Sequence, residues 1–228
     1  MIKFANYVAN KEGAVALITG ENVGQVASQT LSNINVIGSG RTDSGVHALR
    51  QIAHFDWETD MPTCEIISAL NGNLPEDIRI NDCAVISGDF HARFSAVKRQ
   101  YVYHCRTDEY ILDRNTVWQT GPLDLNSLNE LADKIVGEHN FTSFSKFNSE
   151  IENRVCNIYL SEWSNESGIV NYRIAANRFL HHMVRYLVGT MVEVTRNKMT
   201  KSEFEEILNN PQENVQIYKA PAQGLFLE

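Results

Sequence analysis

Residues 155 to 176 limit the fold more than any other stretch. Val155 to Trp163 and Ile169 to Ala176 are rich in β-formers, and Ser164-Asn165-Glu166-Ser167-Gly168 between them is turn chemistry. The two runs predict a hairpin, and a hairpin commits its sheet to antiparallel pairing. Directly after it, Leu180, Met183, Val184, Leu187, Val188, Met191 and Val192 recur at the spacing of one buried helical stripe. A hairpin followed by a strongly apolar helix needs a sheet face to cover.

The same reading extends along the chain. Val23 to Leu31 has the makings of a short helix. Residues 51 to 57 alternate, with Ala53, Phe55 and Trp57 on one face and Ile52, His54 and Asp56 on the other. Pro62-Thr63 opens a helix with Cys64, Ile67 and Leu70 in phase, ended by Asn71-Gly72-Asn73-Leu74-Pro75, and Cys83 to Ile86 reads as a short strand. Residues 124 to 137 predict a helix with Leu125, Leu128, Leu131, Ala132, Ile135 and Val136 on its stripe and Gly137 as a stop. Phe141, Phe144 and Phe147 follow at three-residue spacing and are read as core. Thr200-Lys201-Ser202-Glu203 is a capping box opening a last helix with Phe204, Ile207 and Leu208 on its apolar side. Tyr218 to Leu227 reads as a strand entered through Pro221. This order of strands and helices predicts an α+β protein with a largely antiparallel sheet.

Chemistry concentrates at Gly38-Ser39-Gly40-Arg41-Thr42-Asp43-Ser44-Gly45-Val46-His47-Ala48. β-formers precede it and a strand follows, so it is a loop carried on strand tips. Its glycines allow positive φ and close backbone approach to a ligand. Arg41 and Asp43 sit two apart in that frame, with Ser39, Thr42 and His47 around them. A turn alone needs neither charge; the bland alternative is that Asp43 pairs with Arg41 or caps the loop backbone. The loop fits no dinucleotide fingerprint, P-loop or nucleophile elbow.

A second segment, Phe90 to Thr107, has no acidic residue but carries Arg93, Lys98, Arg99 and Arg106, two histidines and four aromatics. In a chain of net charge −8, that local mixture suits a phosphate backbone with exposed bases; the alternative is a solvated strand edge. On a strand, Tyr101 and Tyr103 share a face. Asn177, His181 and Arg185 share a helical face if the helix begins early enough. Adjacent His181 and His182 point about 100° apart on a helix, which argues against one shared metal ion. Arg185, on an apolar stripe, calls for a carboxylate, and Asp43 is a candidate. The four cysteines form no CxxC pair, which predicts reduced thiols and a cytoplasmic protein; no apolar run suits a membrane span.

Taken together, GRTDSGVHA at 40–48, FHARFSAVKRQYVY at 90–103, FTSF at 141–144, NRFLHHMVRYLVG at 177–189 and APAQGLFL at 220–227 resemble the tRNA pseudouridine synthase A family, in the family's own order. The resemblance implies two ferredoxin-like halves, 1–104 with the catalytic loop and 105–228. They would form one extended, mainly antiparallel sheet with helices on one face and a central cleft. It implies isomerisation of uridine to pseudouridine in the anticodon stem-loop of tRNA, at positions 38 to 40, on a flipped-out base. Neither cofactor nor metal is implied; the implied partners are tRNA and a second copy in a homodimer. Asp43 would be the nucleophile. Arg41 would fill the space the base leaves, Tyr101 would stack on the uracil, Leu225 would wall the pocket, and Arg185 would hold the site. Arg93, Lys98, Arg99 and Arg178 are the candidate phosphate contacts. Residues 1–33 depart from the family pattern, offering only Asn6-Tyr7-Val8-Ala9-Asn10 and Val23-Gly24-Gln25-Val26 for its opening signals. The alternative is therefore a non-catalytic RNA-binding relative that lost turnover with that segment.

Overall fold

The computed structural model describes residues 14–20, 35–86, 88–146 and 151–228. The helix expected over 23–31, the opening signals before residue 14 and Phe147 lie outside the described residues. The chain divides into two compact units, Met1–Val97 and Lys98–Glu228. That division falls just ahead of the strand Arg99–Arg106 rather than within it at 104/105.

In the first unit, β1 (Ala14–Gly20), β2 (Ile37–Gly38), β4 (Gln51–Phe55) and β5 (Ile78–Val85) form an antiparallel sheet ordered β2-β4-β1-β5; β3 is the short His47–Ala48. Helix α1 (Thr63–Asn73) buries Ile66 and Leu70, against Ala53, Phe55, Ile78, Ile80 and Cys83. Cys64, expected on that stripe, is exposed instead, and Ile67 only flanks the core. The side chain of Asn71 accepts the N–H of Ile80 and donates to its carbonyl, tying the end of α1 to β5. Strand β5 is longer than the expected Cys83–Ile86. The β1–β5 register shifts between Leu17 and Ile18, so Ile78 and Ile80 face the core on one side of the shift and Cys83 on the other. A bulge of this kind erases the period-two signal a sequence can offer.

The second unit is built on β6 (Arg99–Arg106), paired along its length with β10 (Ile169–Ala176). The sheet continues through β9 (Val155–Glu166) to β8 (Gly137–Asn140). On its other edge β6 takes β11 (Leu225–Leu227) antiparallel and β7 (Trp118–Gln119) parallel. The hairpin turn is two residues, Ser167 at φ 54° and Gly168 at φ 87°. Positive φ at both matches a type I′ turn, whose twist suits the flanking strands. Helix α2 (Leu125–Lys134) starts at Asp124, whose carboxylate accepts from Asn126 and Ser127 N–H. It stops before Val136, which is exposed, and Gly137 at φ 100° opens β8. Helix α3 (Met183–Thr195) is buried on nearly every side, and α4 (Lys201–Asn209) begins with the expected Thr200–Glu203 capping box. Tyr103, Tyr172, Ile174, Leu128, Leu187 and Phe204 are fully buried in this unit's core.

Two expectations fail here for a common reason. Helix α3 begins at Met183, so Asn177 and His181 precede it and share no helical face with Arg185. The final strand is only Leu225–Leu227, after a 3-10 turn over Ala222–Gly224. Both flanking segments are held by side-chain and backbone contacts rather than by ladders. The α+β class and mainly antiparallel pairing are as the sequence predicts. Among the described residues, no helix is long and apolar enough to cross a membrane.

Candidate active site

The loop 38–48 is fixed inside the first unit by its own polar groups. Ile37 and Gly38 pair with His54 and Ala53, and Ser39 N–H donates to the Ile52 carbonyl at 2.7 Å. Gln51 is 3% exposed and clamps the loop twice. Its Oε1 accepts from Ser39 Oγ at 2.6 Å, and its Nε2 donates to the Gly40 carbonyl at 2.8 Å. Beyond the clamp, Val46 N–H donates to the Asp43 carbonyl at 3.1 Å, with Gly45 at φ 79° as the third residue of that turn. That position in a type II turn requires positive φ, so Gly45 is there for its backbone. Val46 and Ala48 are buried anchors; Asp43 is half-buried and Arg41 exposed. The loop thus places one carboxylate and one guanidinium on a backbone whose neighbours are pinned.

Sequence alternation sets His54 on the strand face opposite Ala53 and Phe55, and that face is covered as well: His54 is 8% exposed. Its Nδ1 accepts the Ala92 N–H at 3.1 Å, and the backbone of Ile37 hydrogen-bonds the ring. His54 therefore joins the start of the Asp43 loop to the FHARFS segment. Burial, and then the nearby His91, lower its pKa from the ordinary 6.5. The neutral ring is what the Ala92 contact needs, because a protonated Nδ1 cannot accept.

In the second unit, Tyr101 lies on β6 with 9% exposure, edge-on to Phe179 at 5.2 Å between ring centroids. Tyr101 is registered with Leu227 and Tyr103 with Leu225, so Tyr101, Tyr103 and Leu225 belong to one framework of two paired strands. Tyr103 is fully buried and donates its hydroxyl to the Pro221 carbonyl at 2.8 Å; burial pushes its pKa up. Gly224 packs on that ring so closely that a Cβ there would meet it at 2.7 Å. Arg185, on α3, donates from Nε to the Ala220 carbonyl at 2.8 Å, and the Ala220 N–H donates back to the Arg185 carbonyl at 2.9 Å. One turn later, Gly189 lets residues 218–220 cross α3: a Cβ would lie 2.4 Å from the Tyr218 carbonyl oxygen. Arg185 thus both belongs to the helix and holds the strap that leads into Leu225.

The basic residues have differing surroundings. Arg93 and Lys98 are exposed. Arg99 is half-buried and donates from Nη1 to the Asn177 carbonyl at 3.2 Å. Arg178, also half-buried, follows Asn177, whose side chain accepts both the Arg178 and Asn157 N–H groups. Arg106 is spent on Asp108 and Asp113, at 2.5 and 2.7 Å, and covers the Tyr110 ring. His181 and His182 do not diverge as they would on a helix. His182 takes a left-handed φ of 64°, and the two rings lie 3.9 Å apart between centroids. All four cysteines are free; Cys83, Cys105 and Cys156 are buried, and burial pushes the Cys83 and Cys156 thiols up to about 11.

Comparison with known proteins gives these geometries a family. A family model described as tRNA pseudouridine synthase matches residues 131–228. A second model, described as thiamine biosynthesis protein (ThiI), matches residues 1–52, which includes the segment that departs from the pseudouridine synthase pattern. The tRNA pseudouridine synthase A of Chlorobium limicola is 37% identical over 216 residues, covering 94% of this chain and 89% of that protein. The corresponding protein of Bacteroides thetaiotaomicron is 37% identical over 86% of this chain and 74% of its own length. A chain of a solved Cbf5-Nop10-Gar1 complex covers 94% of this chain and 47% of its own length at 12% identity, with a TM-score of 0.45. The relatives, which align across both units, define the class as pseudouridine synthases. Within that class, the chain belongs to the tRNA pseudouridine synthase A family.

Proposed function

We propose that this protein isomerises uridine to pseudouridine in the anticodon stem-loop of tRNA, with Asp43 as the nucleophile. The observation that carries the proposal is the near full-length relationship to proteins named tRNA pseudouridine synthase A, joined to a pinned loop that offers a single carboxylate. The reaction breaks the N1–C1′ bond, turns the uracil, forms a C5–C1′ bond and returns the C5 proton to solvent. A carboxylate can divide it into two easier steps by adding to uracil C6 or by capturing C1′. The base lies in a stem, so it must leave the stack before attack.

The other roles follow by residue. Arg41 occupies the space the base vacates. Tyr101 stacks on the uracil, and its hydroxyl assists proton removal from C5. Leu225 supplies an apolar wall, and Arg185 holds the substrate side of its unit. Arg93, Lys98, Arg99 and Arg178 contact phosphates. The working form is a cytoplasmic homodimer in which one tRNA touches both subunits.

The test is tritium release from C5-labelled uridine in unmodified tRNA. Wild type should release label, and Asp43→Asn should bind tRNA and release none. Full release by Asp43→Asn would end the nucleophile assignment. Binding without release by the wild type would replace the isomerase with a non-catalytic RNA-binding relative.

A further inference from the structure

The turn 91–95 is built in a way that a simple connection does not require. Three successive backbone N–H groups donate to imidazole nitrogens. Ala92 donates to His54 Nδ1 at 3.1 Å, and Arg93 and Phe94 donate to His91 Nδ1 at 3.2 and 3.3 Å. Ser95 closes the turn in both directions, its N–H to the His91 carbonyl at 2.8 Å and its Oγ from the His91 N–H at 3.0 Å. The His54 and His91 rings lie 4.8 Å apart between centroids. Every amide of the tip is therefore satisfied internally while Ala92 is buried beneath it.

What this rigid tip displays is an aromatic ring. Phe94 is 77% exposed, a large apolar surface left in water. The His91 ring lies against it at 4.2 Å with an interplanar angle of 32°, and the Arg93 guanidinium carbon sits 5.9 Å from its centroid. The ring is thus oriented and backed, with a cation beside it, and no acidic residue follows until after Thr107. Scattered exposed apolar residues need no explanation. A ring backed by a half-buried imidazole that is itself packed on a buried one, and flanked by a cation, is different, because it matches what stacks on nucleobases.

We propose that the His54–His91 turn is a platform on which Phe94 stacks an unpaired base of the tRNA, while Arg93 meets the adjoining phosphate. The proposal rests on the tRNA-modifying reading above and adds a substrate-positioning residue to it. The partner is RNA rather than protein because the ring is flanked by the Arg93 guanidinium and its neighbouring amides are all occupied, leaving no edge for strand pairing.

The experiment compares Phe94→Ala, Phe94→Leu and Phe94→Trp in the full chain, using unmodified tRNA transcript. Phe94→Ala should weaken tRNA affinity about tenfold, with the larger share of the kinetic loss in KM. Phe94→Leu should fail to restore it. Phe94→Trp should bind like the wild type, and its added indole emission should be quenched when tRNA binds. Wild-type affinity in Phe94→Ala, or full rescue by Phe94→Leu, would overturn stacking. So would a change in oligomeric state on Phe94→Ala, since the ring would then be a subunit contact. An Ala variant that binds and turns over like the wild type sinks the platform and leaves the isomerase reading intact. A wild type that neither binds tRNA nor releases tritium sinks both.

Discussion

The two units differ in how closely the surroundings of their functional residues are packed. In the first, the Asp43 loop rests on strands of two residues each and is held by polar clamps, chiefly Gln51 and His54. In the second, Tyr101 and Leu225 sit on paired strands and Arg185 is bonded to the Ala220 backbone, within a core packed so closely that backbone presses against helix at Gly189 and against a ring at Gly224. Hydrogen-bond clamps set direction at small net energy, about 1 kcal/mol each. Close packing is unforgiving of volume. The difference teaches that damage in the second unit should appear as lost stability, and damage in the first as lost turnover.

The largest effect should come from Gly189→Ala. On an exposed helix this change gains about 1 kcal/mol in helix propensity. Here the new Cβ would stand 2.4 Å from the Tyr218 carbonyl and 2.7 Å from Ala220 N, both backbone atoms that cannot rotate away. Overpacking of that kind costs about 3 kcal/mol, so the clash outweighs the propensity gain by about 2 kcal/mol. Thermal unfolding should show a lower Tm, and activity should fall with it because the displaced strap leads into Leu225. An unchanged Tm would mean that the strap adjusts freely and that packing does not set this unit.

Gln51→Ala should do the reverse. It removes both clamps on Ser39 and Gly40 while β4 keeps its ladder to β1. Losing those two bonds costs about 1 to 2 kcal/mol locally, enough to open the loop about tenfold more often. Tritium release should slow by about that factor, with Tm lowered less than in Gly189→Ala because the cost falls on local opening of the loop. Equal loss of Tm in the two variants would erase the contrast between the units.

Much of this was readable from residue order. The hairpin, the buried stripe of α3 and the Thr200 capping box each carry a local signal, and each forms where expected. The motif stretches around Asp43 and Arg185 were also plain. What the sequence hid was long-range. Alternation puts His54 on the face opposite Phe55, but nothing near it announces that residues 91–95, far along the chain, will meet its ring. The phase of α1 was misread because Ile66, not Cys64, meets the sheet, and α1's stripe is too short to fix its own rotation. Gly189 did carry a signal: a glycine inside an apolar helix is costly unless something approaches closely. What approaches it comes from residues 218–220, and only coordinates show that.

The smallest effect tests the polar clamp of the first unit by pH. His54 accepts the Ala92 N–H only when neutral, and its folded pKa lies below the ordinary 6.5, owing first to burial and then to His91, with Asp56 and the Ile37 backbone acting in the opposite sense. The sign is then fixed. Below about pH 6.5 the unfolded chain binds a proton that the folded chain refuses, so stability falls as pH drops from there through the folded pKa. Above 6.5 the contribution is complete and flat. Hydrogen exchange at Ala92 should therefore speed up, relative to intrinsic rates, as pH drops below about 6.5. Exchange in α3, at Leu187 and Val188, should hold steady over that range. His54→Asn offers an Oδ1 in place of Nδ1 that does not titrate, and it should flatten the response of Ala92. If protection at Ala92 is pH-independent in the wild type, the His54 ring is passive filling. The first unit would then be held by packing as the second is, and the contrast between the two would disappear.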